Sequence, residues 1–163
     1  MLVAALITVT ASVPLMAQGA ANIAVLGAGQ TSGDISSSAA FSSGANSNIN
    51  GNLTAAESVT VGAYSTVTGN VVAGGSFTSH DSSTIKGSVS GRAGFTSGAN
   101  SIIGGNVTVG GDFTSGAQSI IGGNVYAAGT VTLGARSHII GSIRSGKGVI
   151  VYGAGATVGG VEK

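Results

Sequence analysis

The chain has 163 residues, 30 of them glycine, with only 7% charged, 4% aromatic and a formal net charge of +1. That length suits one domain, and the absence of cysteine excludes a disulfide scaffold and thiolate metal sites. Lys86, Arg92, Arg136, Arg144, Lys147 and Lys163 are scattered and share no stripe with aromatic residues, so nothing marks a nucleic-acid surface.

In chain order, residues 2–16 are largely apolar, contain the only proline (Pro14) and lead into Ala17-Gln18-Gly19-Ala20-Ala21. An apolar run of that length ending in small residues has the pattern of a cleavable secretory signal and is short for a membrane span. Residues 1–21 are therefore expected to be a signal peptide, placing the protein in the periplasm, on the cell surface or outside the cell. If the segment is retained, the location is cytoplasmic or membrane-associated. The first Lys or Arg is Lys86, so the positive start of such a signal is missing, and the true start is expected upstream or the sequence is a fragment.

From residue 23 to 163 the chain repeats with a period of eighteen. Phe41, Val59, Phe77, Phe95, Phe113 and Val131 fall in one column, which extends back to Ile23 and forward to Val149, where a shortened coil runs to Lys163. The eleventh position is Gly33, Gly51, Gly69, Gly87, Gly105, Gly123, Gly141 and Gly159, and the thirteenth is always aliphatic. The ninth holds Ile49, Val67, Ile85, Ile103, Ile121 and Ile139, with Thr31 and Thr157 at the ends. Odd positions are apolar or small while even ones carry Thr, Asn, Ser, Gly and charge, the period-two pattern of strands with one buried face. Eighteen residues divide into three short strands and three corners, where glycine is expected to supply positive φ. The fold class this predicts is all-β: a three-sided, single-stranded parallel β-helix (β-solenoid) of about eight coils, on the order of 40 Å long at the usual strand spacing.

Two resemblances bear on its hand and role. Residues 61–66, 103–108, 121–126 and 133–138 match the aliphatic-Gly-x-x-small-x hexapeptide of left-handed β-helices. The recurring Gly-(Asn/Ser)-(Val/Ile), as in Gly69-Asn70-Val71 and Gly141-Ser142-Ile143, resembles instead the bactofilins, polymer-forming cytoskeletal proteins. Residues 137–161 come closest to that family, whose β-helix is triangular and right-handed. The bactofilin resemblance implies filaments formed without nucleotide. The expected export signal and the scarcity of charge depart from the family and weigh against a cytoplasmic scaffold.

Hexapeptide-repeat proteins include acyltransferases and zinc carbonic anhydrases, so enzymatic sites need testing. His80 and His138 are three coils plus four residues apart, on the order of 14 Å along the rod and on different sides, so they do not share a metal within one chain. No coil carries the protruding loop an acyltransferase uses to hold its acyl carrier. Asp34, Glu57, Asp81, Asp112 and Glu162 form no paired carboxylates in adjacent coils. Glycine pairs such as Gly104-Gly105 lack the Gly-Lys-Ser/Thr context of a phosphate loop. The sequence therefore predicts no catalytic residue, no cofactor and no metal, and a lesser reading as a hexapeptide-repeat enzyme.

Function is then expected at the ends or faces of the rod. Open solenoid ends favour end-to-end association of identical copies, and a contact of that kind that does not close makes a filament. One face offers an alternative: Thr60, Thr78, Thr96, Thr114 and Thr132 share the second position, flanked by Ser58, Ser76, Gly94, Asp112 and Thr130. A flat threonine ladder at about 4.8 Å spacing can order water like an ice lattice. β-Solenoid antifreeze proteins carry such ladders, and Asn22-Ile23-Ala24-Val25-Leu26-Gly27 faintly resembles the start of secreted bacterial ice-binding domains. The expected partners are thus other copies of the chain, the cell envelope or ice.

Overall fold

The computed structural model describes Ala21, Asn22 and residues 24–161. The signal-like residues 2–16, the column residue Ile23 and the terminal Glu162-Lys163 lie outside them. Every regular element among the described residues is a β-strand, and every pairing is parallel, joining a strand to the same side of the next coil. The result is a β-solenoid of about eight coils.

One coil shows how the sequence makes it. Phe77–Ser79 forms the first side, Thr84–Ile85 the second and Val89–Gly91 the third. Phe77, Ser79, Ile85, Val89 and Gly91 point inward and are buried, while Thr78, Thr84 and Ser90 point outward. The first sides stack into an eight-stranded sheet. The second and third sides form one fifteen-stranded sheet, because His138–Ser145 runs unbroken round a corner. The core is a column of like residues on like. Phe77 lies against Phe95 with ring centroids 5.2 Å apart, and Phe95 against Phe113 at 4.8 Å, nearly parallel in both cases.

The glycine columns have a different cause from the one expected. Positive φ falls on the sixth position, held by Asn46, Tyr64, Ser82, Asn100, Gln118 and Arg136, all within a degree of 58°. Among the described glycines a left-handed conformation occurs only at Gly29, Gly148 and Gly155, toward the two ends of the solenoid. From Gly51 onward the eleventh-position glycines are needed because successive coils touch there, whereas a Cβ on Gly33 would meet nothing. A Cβ on Gly87 would lie 2.5 Å from the Gly69 carbonyl oxygen, and one on Gly105 would lie 2.8 Å from the Ser88 amide nitrogen. The backbones are already hydrogen bonded at this corner, as Gly105 N–H donates to Gly87 at 3.0 Å.

Buried serines bridge successive coils, with Ser79 Oγ the exception among the described residues, buried and unpaired. Seventh-position Ser65, Ser101 and Ser119 donate to the fourth-position carbonyls of Gly44, His80 and Gly98 in the preceding coil, at 3.0–3.1 Å. Third-position Ser43, Ser97 and Ser115 accept from the amides of Gly62, Gly116 and Gly134 in the next. On the third side the twelfth position forms a second ladder. Asn52 Oδ1 accepts from Asn70 N–H at 2.9 Å, Asn70 Oδ1 from Ser88 N–H at 2.8 Å, and the pattern continues through Ser88, Asn106 and Asn124 to Ser142. The Gly-(Asn/Ser)-(Val/Ile) triplet thus encodes a glycine for close approach, a side-chain acceptor for the next coil's amide, and a buried aliphatic.

The end coils depart from strict eighteen-residue spacing. In the first, Val25 pairs with Ser42 and Thr31 with Asn48, a step of seventeen, before Ile35 with Leu53 restores eighteen. Ala24, rather than Ile23, is therefore level with Phe41. Thr31 faces outward, and Ser32 stands in the column of Ile49. In the last coil Ile150, not Val149, pairs with Val131, and Val158, not Thr157, with Ile139. The extra residue is taken up in the corner containing Gly148, and the step returns to eighteen through a register shift between Ile139 and Ser142. Both misplacements came from counting without a gap, whereas register follows backbone pairing and burial.

Stacking sets the expected cost of two substitutions. Phe95→Ala removes the middle ring of the stack and should lower unfolding free energy by roughly 3–5 kcal/mol. Gly87→Ala adds only a methyl but presses it on backbone that has no rotamer to yield, for a loss of roughly 1–3 kcal/mol. Denaturant unfolding followed by circular dichroism checks both, and an unchanged Gly87→Ala midpoint would refute the close-approach account.

Candidate functional site

The five ladder threonines are brought together as expected. Thr60, Thr78, Thr96, Thr114 and Thr132 are consecutive partners on the first side. Their neighbours in the column are Ser42 at one end and Val151 at the other. Each stands between two buried neighbours in the chain, so the inward pull of the first and third positions holds the threonine outward. Thr96 is exposed and the other four are half-buried by their stacked neighbours.

The flanking column is less regular. Ser58 and Ser76 share a hydroxyl–hydroxyl hydrogen bond of 3.1 Å. Asp112 Oδ1 accepts from the Thr130 amide at 2.7 Å and from its hydroxyl at 3.0 Å, and Lys147 Nζ lies 3.7 Å from the same oxygen. The Thr130 amide and hydroxyl, then the Lys147 charge, hold the Asp112 carboxyl below the ordinary carboxylate value. So Thr130, in the only complete Thr-x-Thr on this face, turns its hydroxyl to a carboxylate, and the outward hydroxyl pattern rests on the second column alone.

The histidines stay apart. His80 occupies the first corner of its coil, exposed, where neighbouring coils have Gly62 and Gly98. His138 is exposed on the second side, its Nδ1 in contact with Thr157 Oγ1. Among the described residues no three His, Asp or Glu side chains gather where they could hold a metal ion, and no helix is long and apolar enough to cross a membrane.

One surface feature went unseen in the sequence: a shallow groove on the third side between the twelfth and fourteenth columns, whose wall includes Tyr126 and Arg144. Both residues hold the fourteenth position of consecutive coils, and a column-by-column reading of outward positions would have paired them. A scan against protein-family models finds no match, and searches of curated proteins and of solved structures find none either.

The Asp112 cluster has a defined pH response. A carboxyl lowered on folding adds stability above its unfolded pKa, and that contribution is lost as pH falls through the lowered folded value. In an NMR titration Asp112 should have its midpoint below that of the same residue in an unfolded peptide. Thr130→Val should return it only part of the way, because the amide still donates. A midpoint equal to the peptide's would show the hydrogen bonds to be absent in solution.

Proposed function

We propose that the protein is a non-enzymatic structural rod whose copies associate end to end into filaments. The observation carrying this is the character of its terminal edges. Ile150–Tyr152 and Thr157–Val161 pair on one side only among the described residues, as do Ala21–Asn22, Val25–Leu26 and Thr31–Ser32 at the other end. Tyr152 lies level with Leu133, which is buried at 2%, yet is 47% exposed because no described coil covers it. Val151 and Val161 are also about half exposed. Residues 149–161 contain no charge and no proline, and neither do residues 21–32.

Natural sheet edges usually carry charge, proline or a cover that discourages pairing. Without charge or proline along these strands, a one-sided edge is a template for the opposite edge of another copy. That contact joins unlike surfaces and does not close, so it extends. The resemblance to bactofilins supports the same reading.

The in-register threonine column favours one further reading, that the first side binds ice. The hydroxyls repeat at the coil spacing over five coils, and the flanking Gly62, Gly98, Gly116 and Gly134 leave that edge of the column low except at His80.

Negative-stain electron microscopy and light scattering test the first reading. Filaments that lengthen with concentration are expected, and Val151→Lys with Val161→Lys should leave single rods of unchanged circular dichroism. A parent that stays monomeric over the accessible concentration range removes the proposal. For the second, thermal hysteresis should be measurable and should disappear in Thr96→Tyr with Thr114→Tyr; a parent without hysteresis rules it out.

A further inference from the structure

We infer that the groove on the third side is a binding site for an acidic polysaccharide, with the sugar chain lying along the rod. The groove has a volume of about 280 Å³ and is floored by the strand segments at Val107 and Val125. One wall is the twelfth column, Asn106, Asn124 and Ser142, and the other is the fourteenth, Thr108, Tyr126 and Arg144. Both walls run from coil to coil, so the groove is linear and parallel to the rod axis.

The chemistry of the walls selects the ligand. Asn106 Oδ1 accepts from Asn124 N–H at 2.7 Å, and Asn124 Oδ1 from Ser142 N–H at 2.8 Å. A backbone N–H needs an oxygen opposite it, so the ladder fixes the orientation of each carboxamide and leaves its NH2 group without a partner among the described residues. These are two NH2 groups, each with two N–H donors, on a rigid sheet and one coil apart. Arg144 stands across the groove with its Cζ 5.7 Å from the Tyr126 ring centroid, within cation–π range. That contact steadies a guanidinium that has no ion-pair partner among the described residues, while Tyr126 remains 40% exposed. Amide donors, hydroxyls and one unpaired guanidinium call for an oxygen-rich anion, and the aromatic wall adds a flat apolar surface. A pyranose carrying a carboxylate presents ring C–H groups to the tyrosine, hydroxyls to the amides and its acid to Arg144. A peptide strand would have to pair with a backbone edge, and here the floor is the middle of a sheet whose strands are already paired on both sides.

Titration calorimetry with an oligogalacturonate, and with a neutral glucose oligomer of equal length, tests the assignment. The acidic probe should bind the parent and the neutral one at least about tenfold more weakly. Tyr126→Ala and Arg144→Gln should each weaken the acidic probe by about tenfold or more, and Arg144→Gln should abolish the preference for acid. Both side chains are exposed, so thermal unfolding should hardly move. Lys86→Ala, on another side, separates a site from diffuse charge and should leave binding unchanged. No binding of the acidic probe by the parent overturns the inference, and so does equal affinity for the two probes. A loss confined to Arg144→Gln, or an equal loss in Lys86→Ala, reduces the contact to charge alone and overturns it as well.

Discussion

The constraint on which the molecule depends is the distance between coils. Parallel strands stack about 4.8 Å apart, and here the corners keep to the same spacing, hydrogen bonded backbone to backbone. Gly69 N–H donates to Gly51 at 2.9 Å and Gly123 N–H to Gly105 at 3.1 Å. At such a corner a Cβ aimed along the stack meets the carbonyl of the coil before it, so the position belongs to glycine irrespective of φ. The left-handed backbone a turn also needs is placed elsewhere, on the sixth position, where an outward side chain meets no obstruction.

Stacking at one spacing also explains the composition. Whatever occupies a column faces the same column in the next coil, so residues that attract their own kind are favoured: Phe on Phe, Ser on Ser, Thr on Thr, and Asn whose oxygen receives the next amide. Like charges stacked in this way repel. The few charged residues accordingly never share a column with a like charge in an adjacent coil, and Asp112 is answered by Lys147 two coils on. Scarcity of charge is thus a consequence of the repeat, and it leaves the described terminal strands without charge.

In a rod made this way the outward side chains of the described residues are arranged in ladders along the coils. A ladder presents one group at regular intervals, which suits a periodic partner such as a lattice, a polymer or another copy of the chain. Variation between coils then matters most where a column changes character. The fourteenth column runs Thr54, Val72, Ser90, Thr108 before turning to Tyr126 and Arg144, and that break is where the third side acquires its groove.

The period, the buried columns, the outward threonines and the isolation of His80 from His138 were all decided by the sequence alone, because a solenoid's contacts are its repeat read vertically. Only the tertiary structure decided the register of the end coils. There, backbone pairing and the fit of Ile150 and Val158 to the core outweigh an unbroken count of eighteen. It also decided why the glycines are required, since the obstructing carbonyl lies eighteen residues back along the chain. The pairing of Tyr126 with Arg144 belongs to it too: their separation in sequence says nothing of contact until the coils are stacked, when a guanidinium can come to rest over a ring.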